Sequence, residues 1–201
     1  PEARSFPSFV ESALSRIRPI RTLYSSQPNR LTHDAIRAVE KELITYLKEH
    51  PKAIYQLQPR VFEKLVAEVL ASFGWKVTLT KQTCDGGYDI FGIQSDQAGL
   101  ETSWIIECKR NRHDRPVGIE VARALYGVKT DLRVGMALLA TTSYFSQDTI
   151  NFGASRYDFK LRDFSDIISW INEYRPNPNG RIHINNNQVI VPGDPGWNPP
   201  G

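Results

Sequence analysis

The sequence contains few cysteines and no long apolar run, and each shortage argues against a class of protein. Its 201 residues include two cysteines, Cys84 and Cys108, and neither lies at zinc-ligand spacing from a second Cys or a His. We therefore expect neither a disulfide framework nor a structural zinc site, and a reducing compartment, the cytoplasm, is the default. The longest apolar stretch, Met136–Ala140, is only as long as a strand, so no membrane-spanning helix is expected.

The chain also lacks a strong excess of charge of either sign. With 25 Lys and Arg against 22 Asp and Glu, the formal net charge is +3. A hydrophobic share of 40% and a charged share of 23% are typical of a folded globular chain rather than a disordered one. A nucleic-acid partner is compatible with this balance only if the positive charge is concentrated locally.

Helices and strands are predicted from the spacing of apolar residues. From Thr32 onward two helices precede three strands, and helices and strands then alternate. A polar loop, Gln94–Thr102, is expected between the second and third strands. The predicted strands cover Trp75–Thr80, Tyr88–Ile93, Ser103–Lys109, Gly135–Thr141 and Phe159–Leu161, and helices are predicted to begin at Pro59, Val117, Gln147 and Phe164.

This order of elements predicts an α/β fold with a mixed central sheet of about five strands flanked by helices and preceded by an N-terminal helical extension. Residues 1–31, rich in Pro, Ser and Arg, are expected to form an arm. Residues 32–174 form the main domain, and residues 175–201 form a tail with one candidate hairpin, Arg181–Ile184 with Gln188–Val191.

Two carboxylates and one lysine stand out in the predicted sheet. Asp89 lies in the second strand, and Glu107 and Lys109 lie two residues apart in the third, so the latter two point to the same face. Neighbouring carboxylates repel each other, and a divalent cation removes that repulsion. Oxygen ligands select hard cations such as Mg²⁺ or Mn²⁺, and a nearby ammonium suits a bound phosphate. These are the components of metal-assisted phosphodiester hydrolysis.

From these residues alone, a structural ion pair between neighbouring strands remains the more common explanation. A basic run, Arg110, Arg112 and Arg115, follows the third strand directly. Such a run forms either a solvated loop or a surface that contacts phosphate groups.

At this point the sequence resembles a known family. An Asp followed by Glu-x-Lys is the signature of the PD-(D/E)XK nuclease superfamily, and the surrounding residues resemble its Mrr-like restriction endonucleases. The resemblance covers roughly Thr32 to Tyr174. The residues that carry it include His50-Pro51, Leu57-Gln58-Pro59-Arg60-Val61-Phe62-Glu63-Lys64-Leu65-Val66, Phe73-Gly74-Trp75, Asp85-Gly86-Gly87-Tyr88-Asp89-Ile90, Ile106-Glu107-Cys108-Lys109-Arg110, Leu125-Tyr126-Gly127-Val128 and Ala140-Thr141-Thr142.

The resemblance implies a role for each site residue. Asp89 and Glu107 would be metal ligands, together with the backbone carbonyl of Cys108. Lys109 would position the attacking water or stabilise charge on the phosphate. Glu63, on the helix before the sheet, would be a further acid of the site and a supporting metal ligand. From the residues alone, a solvated position on the helix flank explains Glu63 as well.

By the same resemblance, the chain would be a Mg²⁺-dependent DNA endonuclease that leaves 5′-phosphate ends and acts in restriction or anti-phage defence. Cleavage of both strands would favour a homodimer, and a sensor domain or protein would regulate it. Two alternatives remain open. One is a module that recognises DNA, its damage or its modification and whose nuclease site is idle. The other is a nuclease for branched DNA junctions or RNA.

Overall fold

The computed structural model describes residues 41–80, 86–177 and 182–184, and the chain divides into two compact units, Pro1–Tyr46 and Leu47–Gly201. Residues 41–49 are helical. The predicted arm 1–31, Asp85 of the predicted turn, and the second half of the predicted tail hairpin lie outside the described residues.

Within the described residues, six strands form one sheet, in the order β5-β4-β3-β2-β1-β6. The pairs β1–β2 and β2–β3 are antiparallel, whereas β3–β4, β4–β5 and β1–β6 are parallel, so the sheet is mixed, as predicted. The strands are β1 (Lys76–Leu79), β2 (Ile90–Ser95), β3 (Glu101–Lys109), β4 (Met136–Thr141), β5 (Phe159–Arg162) and β6 (Ile182–Ile184).

From Pro51 onward, the described residues contain a short 3₁₀ helix, Pro51–Gln56, which was not predicted from the sequence, followed by four α-helices. The helices are α1 (Pro59–Ser72), α2 (Ile119–Asp131), α3 (Gln147–Ala154) and α4 (Phe164–Glu173). In the described part of the chain from Pro51 on, none of the helices is long and apolar enough to cross a membrane, nor is the helix 41–49.

Helix α1 is the element that the sequence predicts best. Pro59 occupies its first turn, where a missing N–H costs nothing, and Gly74 follows its end with a φ of +89°. The apolar residues at i, i+3, i+4 and i+7 are buried, as the spacing requires: Phe62, Leu65, Val66 and Val69. The N-terminal end of α1 therefore has a fixed position beside the sheet.

The hairpin that joins β2 to β3 is tighter than the predicted polar loop. Both strands extend into the predicted loop, to Ser95 and from Glu101. The Asp96 carboxylate accepts hydrogen bonds from the backbone N–H groups of Ala98 (2.9 Å) and Leu100 (2.8 Å), and Gly99 adopts a φ of +81°. An aspartate that satisfies turn N–H groups and a glycine in the left-handed region shorten the connection.

The last strand of the sheet comes from the segment assigned to the tail. Ile182–Ile184 pairs in parallel with β1, with Val77 opposite Ile182. The sequence predicts a hairpin between this segment and Gln188–Val191, and Gln188–Val191 lies outside the described residues. A three-residue strand carries too little pattern to identify its partner, so this pairing could not be predicted.

One face of the sheet packs against α2 and the segments that flank it. The hydrophobic core on this face contains side chains from β2, β3, β4 and β5, which pack against Ala122 and Leu125 of α2. The central strand positions Ile105 and Leu139 are fully buried there. Because β3 and β4 are held from both sides by neighbouring strands, the residues at their ends are positioned by a rigid scaffold. The buried cluster contains Phe91, Ile93, Ile105, Val117, Ala122, Leu125, Val134, Ala137, Leu139, Phe145 and Phe159.

A nearly buried ion pair connects α2 to the start of β5. Lys129 Nζ lies 2.5 Å from Asp158 Oδ2, and each side chain is 11% exposed. Burial alone would raise the pKa of Asp158, but the hydrogen bond and charge of Lys129 outweigh it and lower that pKa. A carboxyl whose pKa is lower in the folded state stabilises the fold above its unfolded pKa and loses that contribution as pH falls through its folded pKa.

We expect Asp158→Asn to lower the free energy of unfolding by about 2 kcal/mol at about pH 7, because Lys129 then stays buried without a charged partner. The difference between wild type and variant should shrink at an acid pH below the ordinary pKa of an aspartate, because the unfolded wild-type chain then takes up a proton that the folded Asp158, with its lowered pKa, resists. Urea denaturation at both pH values measures it. An equal difference at the two values would contradict the assigned role of this pair.

Candidate active site

The candidate site lies where β2 begins beside the C-terminal end of β3. Ile90 pairs with Ile106, and one residue before it the Asp89 N–H donates to the Ile106 carbonyl at 2.9 Å. The Asp89 N–H bonds to the carbonyl of the residue that already pairs with Ile90, so the regular register ends at Ile90. Asp89 nevertheless lies close enough to Glu107 and Lys109 for its charge to act on both.

The Asp89 carboxylate accepts a hydrogen bond from β3 that a neighbouring strand would otherwise accept. On the N-terminal side of Asp89 the chain no longer pairs with β3. The Cys108 N–H, on the edge of β3 that faces Asp89, instead donates to Asp89 Oδ2 at 2.7 Å. The N–H and C=O of one strand residue point to the same side, so the Cys108 carbonyl faces the side on which Asp89 lies. The Cys108 side chain is buried, and burial raises the pKa of its thiol well above the ordinary value.

Lys109 forms an ion pair with Glu107 along the same strand. The distance from Lys109 Nζ to Glu107 Oε1 is 2.6 Å, and the Glu107 side chain is 14% exposed, against 41% for Lys109. The two residues are i and i+2 on β3, so both point to the same face, and the charge of Asp89 acts on both. The structure therefore brings together the three side chains that the sequence analysis selected.

Glu63 reaches this group through Arg60, a residue that the sequence analysis did not select. Arg60 Nη1 lies 2.6 Å from Glu63 Oε2, and Arg60 Nη2 donates to the Thr80 carbonyl at 2.6 Å. Thr80 in turn donates from its backbone N–H to the Asp89 carbonyl at 2.9 Å. The Glu63 side chain is 13% exposed, which contradicts a solvated position on the helix flank. The spacing of Arg60 and Glu63, three residues apart on a helix, was the available signal.

Burial raises the pKa of all three carboxyls. For Asp89 the hydrogen bond from the Cys108 N–H and the charges of Lys109 and Arg60 oppose this effect without cancelling it. For Glu63 and Glu107 burial is again the largest cause, and the negative charge of Asp89 adds to it. Each carboxylate is thus held in its charged form at a cost that a nearby cation would remove.

The pKa of Lys109 is raised as well, but for a different reason. Burial alone would lower the pKa of Lys109, but its hydrogen bond to Glu107 and the negative charges of Glu107 and Asp89 outweigh burial and raise it. Lys109 therefore remains a protonated ammonium at neutral pH.

A turn at Gly87 fixes the position of the backbone just before Asp89. Gly87 has a φ of +74°, and a Cβ there would lie 2.7 Å from Val128 Cγ2. Only glycine fits both the conformation and the space. Tyr88, which follows, is 4% exposed and packs in the core cluster of α2, so the turn is anchored immediately before Asp89.

The arginines of the basic run after β3 differ in their exposure to solvent. Arg112 and Arg115 are exposed. Arg110 is half-buried, and its Nε is buried without a hydrogen-bond partner among the described residues. Of the three arginines expected to bind DNA, two present their side chains to solvent.

Comparison with known proteins identifies the family. Residues 54–171, more than half of the chain, match the family model Mrr_cat, described as restriction endonuclease. The chain belongs to this restriction endonuclease family. The resemblance inferred from the sequence motifs is confirmed.

Relatives of this restriction endonuclease domain are considerably longer. The uncharacterized protein y4cE of Sinorhizobium fredii is 24% identical over 141 residues, which are 69% of this chain and 36% of that protein. The solved structure of the DNA modification-dependent restriction endonuclease AspBHI has a TM-score of 0.51 and 19% identity over 67% of this chain and 35% of that one. The MspJI restriction endonuclease, solved with a 27-mer oligonucleotide, has a TM-score of 0.42 and 22% identity over 79% of this chain and 36% of that one.

The likeness to AspBHI supports the fold, and the chain spans about a third of the length of these relatives. The restriction endonuclease core, a mixed sheet flanked by helices, is thus the fold that the sequence predicted.

The side chains of this endonuclease domain suit a hard cation by their chemistry. Asp89, Glu107 and the Cys108 carbonyl offer oxygen atoms only, which Mg²⁺ and Mn²⁺ prefer. As arranged, however, Glu107 is paired with Lys109 and Glu63 with Arg60. Among the described residues, no three His, Cys, Asp or Glu side chains are grouped closely enough to hold a metal ion. A bound cation would have to draw these carboxylates away from their present partners.

Proposed function

We propose that this chain is the catalytic domain of a Mg²⁺-dependent endodeoxyribonuclease that hydrolyses phosphodiester bonds. The observation that carries the proposal is the Lys109–Glu107 ion pair at 2.6 Å beside Asp89, whose carboxylate accepts from the Cys108 N–H of the same strand at 2.7 Å. Three buried or half-buried charges at the end of a rigid strand are costly unless they are used. Membership of a restriction endonuclease family supports this use.

In this proposal each residue has one task. Asp89, Glu107 and the Cys108 carbonyl would hold the cation, with Glu63 as a supporting acid. A bound Mg²⁺ supplies charge neutralisation at the scissile phosphate and a water of lowered pKa. Lys109 holds its ammonium beside the reacting phosphate, where it orients the attacking water or stabilises the developing charge. Arg112 and Arg115, with Arg110 beside them, contact the DNA backbone.

Cleavage of supercoiled plasmid tests this function. We expect nicked and linear DNA with Mg²⁺ or Mn²⁺, no product with EDTA, and 5′-phosphate ends on the products. Modified duplex DNA, a branched junction and RNA of matched length form the substrate panel, and a preference for one of the last two would replace duplex DNA as the substrate. Absence of metal-dependent cleavage of every substrate would refute the nuclease.

We further propose that this activity serves restriction of foreign or modified DNA in the cytoplasm, as a form of antiviral defence. Cutting both strands requires two reactions, which a homodimer would supply. Since the chain spans about a third of its relatives, target recognition would belong to a separate sensor domain or regulatory protein. Size-exclusion chromatography with light scattering tests the dimer.

A further inference from the structure

Three consecutive hydroxyl residues at the end of β4 hold the loop that follows the candidate catalytic lysine. Thr141 and Thr142 are fully buried, and Ser143 is 3% exposed. Buried hydroxyls must find hydrogen-bond partners, and these three find them on the backbone of residues 109–115. We call residues 110–116 the basic loop.

Thr142 makes the most specific of these contacts. Its Oγ1 accepts from the Asn111 N–H at 2.9 Å and donates to the Asn111 carbonyl at 2.7 Å. One hydroxyl therefore satisfies both backbone groups of Asn111, which has left the ladder of β3. Asn111 in turn donates from Nδ2 to the Arg115 carbonyl at 3.2 Å.

The far end of the basic loop is fixed as well. Ser143 Oγ donates to the Arg115 carbonyl at 2.7 Å, and the Arg115 N–H donates to the Arg112 carbonyl at 3.0 Å. The His113 ring lies 5.8 Å from the Tyr55 ring, which adds a side-chain contact. The backbone of this loop is thus held by hydrogen bonds while the side chains of Arg112 and Arg115 stay exposed, unlike a simple solvated run of charges.

Thr141 performs a parallel task at the start of the loop. Its Oγ1 donates to the Lys109 carbonyl at 2.8 Å and accepts from the Ser143 N–H at 3.1 Å. Thr141 therefore holds the backbone at Lys109, whereas Thr142 holds the loop that carries Arg112 and Arg115.

We propose that Thr142 is a positioning residue for nucleic-acid binding: its hydroxyl fixes the basic loop so that Arg112 and Arg115 meet a phosphate backbone that approaches Lys109. The inference rests on the proposed nuclease function. A loop ordered before binding loses less conformational freedom when it contacts DNA, so binding is tighter. Each phosphate contact also adds to the salt dependence of binding.

The test compares Thr142→Val, which removes the hydroxyl at nearly constant shape, with Thr142→Ser, which keeps it. Binding of a short fluorescent DNA duplex in EDTA is followed by anisotropy across a salt series. We expect Thr142→Val to weaken binding about tenfold and to reduce the slope of log affinity against log salt by about 1 to 2. Thr142→Ser should restore both values.

The matched control is Thr149→Val. Thr149 is also fully buried and donates to a backbone carbonyl, that of Val117 at 3.1 Å, but it does not contact the basic loop. Its DNA affinity and salt slope should equal those of the wild type. Unchanged binding by Thr142→Val, failure of Thr142→Ser to rescue, or an equal loss in Thr149→Val would each overturn the proposal.

Limited trypsin digestion separates this inference from the nuclease function itself. In Thr142→Val we expect faster cleavage after Arg110 and Arg112, whereas the wild type and Thr149→Val should resist cleavage there. A wild-type protein that neither binds nor cuts DNA, but whose loop is protected by the Thr142 hydroxyl, would refute the nuclease and leave the ordering of the loop intact. A wild-type loop that trypsin cuts as fast as the variant's would refute the ordering.

Discussion

Asp89→Asn should abolish metal-dependent cleavage, lowering the rate of plasmid nicking by at least about a thousandfold. The substitution removes the negative charge while the amide oxygen can still accept the hydrogen bond from the Cys108 N–H. The backbone of β3 should therefore stay in place, and the loss reflects the missing charge at the cation site. Calorimetry should show that Mn²⁺ binding is lost along with activity.

The same variant should be at least as stable as the wild type. Burial raises the pKa of Asp89, so the charged carboxylate is unfavourable in the fold, and a neutral amide avoids that cost. Urea denaturation without metal measures the free energy of unfolding. Mg²⁺ should stabilise the wild type, because it binds the folded state alone, and should not stabilise the variant.

Asp96→Asn is the matched control for this experiment. Asp96 lies at the other end of the β2–β3 hairpin and also accepts hydrogen bonds from backbone N–H groups. The substitution keeps the shape and removes one charge, and we expect wild-type cleavage and wild-type metal binding. Cleavage by Asp89→Asn at a rate near that of the wild type would contradict the proposed site, as would unchanged Mn²⁺ affinity.

The parts of the fold that the sequence predicts are those with strong local patterns. The amphipathic spacing from Phe62 onward identified α1, and alternation of apolar and polar residues identified β1. The helix predicted to begin at Gln147 does begin there as α3, and the Ser146 side chain caps it by accepting from the Thr149 N–H at 3.3 Å. Each of these signals acts within a few residues of the chain, so tertiary contacts did not override it.

The features that the sequence did not reveal depend on contacts between distant segments. The strand at Ile182 finds its partner in β1, about a hundred residues earlier in the chain. Arg60 joins Glu63 to Thr80 only after α1 packs at the end of β1. The Thr142 hydroxyl meets Asn111 because β3 and β4 run parallel and end together. The sequence indicated which residues belong to the candidate site, but it did not predict these supporting contacts.

Lys109→Met should separate catalysis from metal binding. The variant should nick plasmid about a hundredfold to a thousandfold more slowly, because the ammonium proposed to act at the reacting phosphate is gone. Its Mn²⁺ affinity should nevertheless rise severalfold. In the present arrangement Lys109 Nζ lies 2.6 Å from Glu107 Oε1, so a cation must compete with the lysine for that carboxylate and is also repelled by its charge.

Lys76→Met provides the matched control for the lysine. Lys76 also pairs with a glutamate of β3, Glu101, at 3.1 Å, but its side chain and that of Glu101 are 42% and 45% exposed. Because an exposed pair contributes little, this variant should match the wild type in stability, cleavage and metal affinity. Wild-type cleavage by Lys109→Met would remove the lysine from the reaction. Loss of Mn²⁺ binding in Lys109→Met would contradict the proposed competition between Lys109 and the cation for Glu107. It would show instead that Lys109 holds Glu107 in the position needed for metal binding.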